Sequence, residues 1–201
     1  MKREEKNQMT KRKIVESALR EFSKNGYRGS SVNDICQNGG VSKGIVYHYF
    51  DTKEELYLVC VEECFTLLEA FIGKDLINWK GDTEEGLEEY FRRRDNFFVQ
   101  NPKYQNIFTE ALVYPSTNLK EGIREKIASF ENLNKKILRN MIENVDLREG
   151  ISVDDVIEVF LDYQGYINST GNKNGQENDF HEHEARAKKA ISILLYGVVR
   201  R

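Results

Sequence analysis

Apolar positions recur at helical spacing along nearly the whole chain, a pattern that predicts about nine helices and no strand. In the first helix Ile14, Val15, Ala18, Leu19 and Phe22 form one stripe, with Thr10 as N-cap and Gly26 ending it. Ser31-Val-Asn-Asp34 opens a short helix that buries Val32, Ile35 and Cys36 and stops at Gly39-Gly40. Another short helix runs from Ser42 to about Tyr49, with Val41, Val46 and Phe50 on its apolar side. Thr52-Lys-Glu-Glu55 is a capping box that starts a long helix to about Gly73. The looser stretch DLINWKGD follows, holding the single tryptophan, Trp79. Further helices are expected at about 83–100, 103–114 and 118–146, the last opened by Asn118-Leu-Lys-Glu121. Ser152-Val-Asp-Asp155 opens one more to about Thr170, and a polar loop, GNKNGQEN, leads to a final helix from about Asp179 to Arg200. The fold class is all-α.

Composition narrows the setting. A chain of 201 residues with 2 prolines, 14 glycines, 31% charged and 39% hydrophobic residues is an ordinary globular protein. It has no apolar run of about 18 residues, and the start MKREEKNQMTKRK lacks the apolar centre of a signal peptide. Three cysteines without framework spacing suit a reducing compartment, so the expected location is the cytoplasm. The net charge of −3 divides unevenly: residues 1–53 hold 11 Lys/Arg against 6 Asp/Glu, or +5, and the remainder is −8. A basic N-terminal part on an acidic body suits a polyanionic partner.

Residues 31–50, SVNDICQNGGVSKGIVYHYF, supply the reason for such a partner. Two short helices across a glycine turn make a helix-turn-helix, whose second helix can enter the major groove of double-stranded DNA. Ser42 can cap that helix or donate to a phosphate, Lys43 can reach a guanine edge or a phosphate, and Gly44 admits close backbone approach. Tyr47 and His48, about one turn on, carry donors for phosphates.

The run GYRGSSVNDICQNGGVSKGIVYHYFDTKEELY resembles the N-terminal domain of TetR-family transcriptional regulators. The resemblance rests on Gly26, Ser31, Gly40-Val41-Ser42, Tyr47-His48-Tyr49-Phe50 and Lys53-Glu54-Glu55-Leu56 in that order and spacing. It covers residues 10–57 strongly and the remainder by helix count and length. It implies a DNA-binding domain at 1–52 and an effector-binding and dimerisation domain at 53–201. It also implies DNA-facing roles for Ser31, Ser42, Lys43, Gly44, Tyr47, His48 and Lys53, with Lys53 at a helix start that favours phosphate. Two positions depart from the family pattern. Gly39 stands where alanine is common, which would loosen the turn. Ile45 stands where a small or polar residue is common, and it fits either a thymine methyl contact or packing of the short helix. The early basic residues Lys2, Arg3, Lys6, Lys11, Arg12 and Lys13 suit either a DNA groove or a frayed end.

The resemblance further implies a homodimer on a palindromic operator and a small-molecule effector, with repression as the usual mode. The last two helices are the expected dimer face: Val153, Val156, Ile157, Phe160, Leu161, Tyr163, Tyr166 and Ile167, then Ala187, Ala190, Ile191, Leu194, Leu195 and Val198. Gly165 and Gly197 would admit close helix approach. The same surface also suits intrachain core. For the effector, Glu110 in IFTEALVY and Asp162 in VFLDYQGY are acids among apolar residues. With Phe108, Tyr114 and Tyr166 they suit an aromatic pocket for an amphipathic, cationic ligand, or else they are acids at helix edges.

Other signals are set aside. Cys60 and Cys64 read as core rather than a thiol pair, and His181-Glu-His183-Glu lacks the second histidine of a zinc-protease helix. No catalytic residue, cofactor or metal is expected, and no membrane partner. The alternatives are an all-helical enzyme or ligand carrier whose helix-turn-helix is structural, or a regulator controlled by a partner protein.

Overall fold

The structure, a computed structural model, describes residues 3–143, 145–170, 185–190, 192, 193 and 197, with the side chains of 167–170 outside the description. Helices cover Arg3–Gly29 (α1), Val32–Gly39 (α2), Lys43–Tyr49 (α3), Lys53–Ile72 (α4), Thr83–Gln100 (α5), Gln105–Val113 (α6), Lys120–Ile142 (α7) and Val153–Thr170 (α8). Residues 185–190 are helical as well, and short 3-10 turns span Lys74–Asn78, Pro102–Tyr104 and Thr117–Leu119. The all-α reading is correct. The loop at 171–178 and Ile191, Leu194, Leu195 and Val198 of the expected dimer face lie outside the described residues.

Two helix starts differ from expectation. α1 begins at Arg3, and Thr10 lies inside it with its hydroxyl donating to the Lys6 carbonyl (2.9 Å). α7 begins at Lys120 behind a 3-10 turn. The side chain of Asn118 donates to the Tyr27 hydroxyl (3.5 Å), a tertiary partner that local pattern could not foresee. Ser152, by contrast, caps α8 as expected, accepting from the Asp155 N–H (3.1 Å).

The chain forms two compact units. The first comprises residues up to Phe65, Asn101–Ala111 and Pro115–Ile127, so α6 as far as Ala111 and the start of α7 belong with the helix-turn-helix. Its core contains Ile14, Ala18, Leu19, Phe22, Ile35, Leu56 and Tyr57, all wholly buried. The Phe22 ring meets the Tyr57 ring edge-on at 5.0 Å, and Tyr27 lies 5.1 Å from Tyr57. Cys60 and Cys64 are buried here as well, their thiols pushed up by burial, which makes them core residues.

The second unit holds Thr66–Gln100, Leu112–Tyr114 and the chain from Ala128 on. Trp79 lies over Gly86, where a Cβ would sit 2.7 Å from the indole nitrogen, and that nitrogen donates to the Asp82 carbonyl (2.8 Å). Arg93 closes the end of α4 by donating to the Ile72 carbonyl (2.6 Å) while pairing with Asp75 and Glu89. Among the described residues no helix is long and apolar enough to cross a membrane.

Candidate nucleic-acid interface

The turn between α2 and α3 is set by one left-handed residue. Gly40 has φ 56° and ψ 41°, and the Val41 N–H returns to the Cys36 carbonyl (3.1 Å), the bond that closes a Schellman cap. Gly39, whose departure from alanine suggests a loose turn, is instead tightly packed. A Cβ there would lie 3.0 Å from both Cβ and Oγ of Ser17, and Ser17 is itself fixed by donating to the Ile35 carbonyl (2.8 Å). The glycine at 39 accommodates the serine at 17.

α3 is oriented by burial of Val46 and Phe50, each 1% exposed. That turns the remaining positions outward: Ser42, Lys43, Gly44, Ile45, Tyr47 and His48 are all exposed. Ile45 and Tyr47 are 42% exposed, so Ile45 does not pack the short helix into the core. The Ser42 oxygen caps α3 by accepting from the Ile45 N–H (3.3 Å), and its hydroxyl proton can still be given to a phosphate. The Lys43 ammonium lies 5.9 Å from the Tyr47 ring, on the same face. Ser31 caps α2, accepting from the Asp34 N–H (3.1 Å) and donating to the Asp34 carboxylate.

The start of α1 lies along this interface. Asn7 bonds the Tyr49 hydroxyl, and the Lys11 ammonium stands 5.6 Å from the Phe50 ring. Arg12 points elsewhere. It pairs with Glu16 and Glu63, and Glu63 also accepts from the Tyr104 hydroxyl.

Lys53 is drawn inward, which corrects its reading as an open phosphate contact. Its ammonium donates to the carbonyls of Tyr27 (2.9 Å) and Ser30 (3.0 Å) and lies 4.2 Å from the Tyr27 ring. The physical reason is the break at Gly26 (φ 66°), which leaves carbonyls facing α4.

The same break explains Glu110, which is 9% exposed. Both of its oxygens accept from the Tyr27 N–H (3.1 and 2.9 Å), and Oε2 also accepts from the Tyr57 hydroxyl (3.1 Å). The acid on α6 thus holds the turn at the end of α1 and a tyrosine of α4. Burial pushes its carboxyl above the usual carboxylate range, and these bonds pull the other way.

The expected effector group is therefore not brought together. Phe108 is 1% exposed and stacks on Phe65 (5.3 Å) in the first unit, beside the tied-up Glu110. Asp162, Tyr114 and Tyr166 are exposed residues of the second unit. A cavity of that unit is lined instead by Leu87, Tyr90, Phe91, Arg94, Asn134, Ile137, Leu138, Phe160, Gln164 and Ala187, of which Phe160 and Ala187 belong to the expected dimer face. The signal was present in EEYFRRRDNFF, where Tyr90, Phe91, Arg94, Phe97 and Phe98 share one helical face and place an arginine within an apolar stripe.

A family model for bacterial regulatory proteins of the tetR family matches residues 14–60, and one for the tetracyclin repressor-like C-terminal domain matches 81–198. The biofilm operon icaADBC HTH-type negative transcriptional regulator IcaR of Staphylococcus epidermidis is 28% identical over 160 residues, covering 79% of this chain and 76% of that protein. IcaR of Staphylococcus aureus strain Newman is 26% identical over 145 residues, 68% of this chain and 78% of its own. The transcriptional regulator FadR from Bacillus subtilis, solved in complex with stearoyl-CoA, superposes with a TM-score of 0.65 at 22% identity, over 92% of this chain and 97% of that one.

Proposed function

Because this chain belongs to the TetR family of DNA-binding transcriptional regulators, we propose that it is a repressor that holds a palindromic operator as a homodimer and is released by a small-molecule effector. The observation that carries this reading is the outward face of α3. Six adjoining or near-adjoining positions, Ser42 to Ile45 with Tyr47 and His48, are exposed on a helix whose other side is fixed in the core. Ser31 adds a hydroxyl at the start of α2, and Lys53 supports the interface from behind rather than touching DNA. Residues 1–52 read the operator and 53–201 serve effector binding and dimerisation, a division that the matched spans 14–60 and 81–198 support.

Pairing through the last two helices is supported by α8. Val156 and Ile157 turn into the core, whereas Val159, Tyr163 and Tyr166, spaced i, i+4 and i+7, remain exposed. Ile193 is exposed too, and a Cβ at Gly165 or Gly197 meets no described atom within 4 Å. Sedimentation at micromolar concentration should give a dimer; a monomer would remove this interface. Repression is supported by the negative regulators among the relatives, and effector control by the FadR complex.

The test is footprinting on DNA flanking the gene, with and without candidate effectors. Two protected half-sites are expected, with centres about 34–36 Å apart or at a larger spacing set by the dimer. Protection without two-fold symmetry would contradict the proposal.

Gly44 separates fold from function. It has no positive φ, and a Cβ there meets nothing within 4 Å. Gly44→Ala should therefore keep or raise thermal stability, by up to about 1 kcal/mol from helix propensity. Its operator affinity should still fall, because the added methyl meets the DNA. Unchanged affinity would show that DNA does not approach α3 closely at that point.

A further inference from the structure

We propose that the first half of α1 is a second DNA contact, in which Lys6 and Lys13 hold a phosphate strand flanking the groove that α3 enters. This rests on the operator-binding reading and extends it beyond the helix-turn-helix.

The sequence leaves six early basic residues between a DNA groove and a frayed end, and the structure separates them. Lys2 lies outside the described residues, and Arg3 is exposed at the very start of the helix. Lys11 is turned to the Phe50 ring, and Arg12 is paired with Glu16 and Glu63. The side chains of Lys6 and Lys13 are exposed and have no hydrogen-bond or ion-pair partner among the described residues. At about 100° per residue these two lie within about 20° of each other round the helix, on the side of Ser17, which packs against Gly39. The Lys13 ammonium stands 3.8 Å from the position a Cβ of Gly40 would take, over the turn itself. Glu16, one turn from Lys13, is held by Arg12 (3.1 Å), and Glu4 and Glu5 fall about 160° and 100° round the helix from Lys6.

Three contacts set α1 beside α3. Asn7 bonds the Tyr49 hydroxyl at the end of α3, Lys11 lies by Phe50, and Lys13 reaches Gly40 at its start. The stretch from Asn7 to Lys13 rises about 9 Å, as does the stretch from Lys43 to Tyr49, so the two run side by side in opposite directions. A frayed end would make none of these contacts. The major groove is about 12 Å wide and a helix about 10–12 Å across, so α3 fills it. A helix held alongside α3 therefore lies over a bordering phosphate strand, where extended lysines make charge-assisted bonds. Lys6 and Lys13 are about 10 Å apart along the axis, a spacing that suits successive phosphates of a strand rather than a single small anion.

The experiment titrates the full-length protein with operator and with a non-specific duplex of equal length, at several salt concentrations. Lys6→Ala combined with Lys13→Ala should lower the slope of log affinity against log salt by about four per dimer, with two phosphates lost in each protomer at about 0.9 apiece. Affinity at 0.1 M salt should fall about tenfold or more on both duplexes and leave operator preference unchanged, because phosphate contacts carry no sequence. Lys6→Arg with Lys13→Arg keeps the charges and should keep the slope. Lys135→Ala with Lys136→Ala removes the same charge from exposed positions of α7 in the second unit, and should leave slope and affinity unchanged. An unchanged slope in the α1 alanine variant would overturn the assignment, as would a loss confined to the operator or an equal slope change in the α7 variant. Wild-type protein that binds neither duplex would count against the regulatory reading. Wild-type binding that the α1 variant matches would count against this contact alone.

Discussion

Replacing Glu110 by alanine is expected to destabilise the first unit by roughly 3 kcal/mol, because two buried donors lose their acceptor at about 1–3 kcal/mol each. The donors are the Tyr27 N–H and the Tyr57 hydroxyl. They sit where α1 breaks at Gly26 and where α4 passes, so the loss loosens the support of the helix-turn-helix as well as the core. Urea unfolding of the two proteins measures it, and a difference below about 0.5 kcal/mol would place Glu110 among ordinary surface acids.

Glutamine at the same position separates bonding from charge. Its carbonyl oxygen still accepts from Tyr27, and the Tyr57 hydroxyl can turn to receive from the amide, so the cost is small. Burial lifts the Glu110 carboxyl above the usual range, with the Tyr27 and Tyr57 bonds and the charges of Arg28 and Lys53 pulling it partway back. The folded chain therefore keeps this proton at pH values where the unfolded chain has released it. Stability from this group falls as pH rises from the ordinary glutamate value to the raised native one. Glu110→Gln has no such slope, so it gains on the wild type as pH rises through that window. Unfolding series from about pH 4 to 8, spanning the ordinary glutamate value and the range above it, would show this. A wild type–Gln difference independent of pH would mean that the carboxyl titrates unperturbed.

The second large effect concerns the outward face of α3. Lys43→Ala combined with Tyr47→Ala should leave the fold intact, since both side chains are exposed. The loss of the Lys43 contact alone, worth about 1–3 kcal/mol in each protomer of a dimer, should cost operator affinity about 2–6 kcal/mol, and the loss of Tyr47 adds to it. If Lys43 meets phosphates, the slope of log affinity against log salt falls by about one per protomer. If it reads guanine, the loss concentrates on one base pair of each half-site. Operator titrations at several salt concentrations distinguish the two, and unchanged affinity would remove α3 as the reading helix.

Local chemistry made much of this legible. The stripe from Ile14 to Phe22, the cap at Ser31, the left-handed Gly40 and the cap at Ser42 depend on residues within one or two turns, so pattern alone places them. Arg94 was legible in the same way, as a charge at an apolar spacing, but its weight depends on α7 and α8 standing opposite.

By itself, then, the sequence determined an all-helical chain with a helix-turn-helix near its start, and which face of α3 is apolar. Helical periodicity and capping are short-range, and they survive whatever the rest of the chain does. Only the tertiary structure decided that Lys53 faces inward, that Gly39 makes room for Ser17, and that Glu110 bonds the turn after Gly26. Each of those outcomes depends on a partner far along the chain, and a buried polar group takes its role from whichever donor or acceptor the fold places beside it.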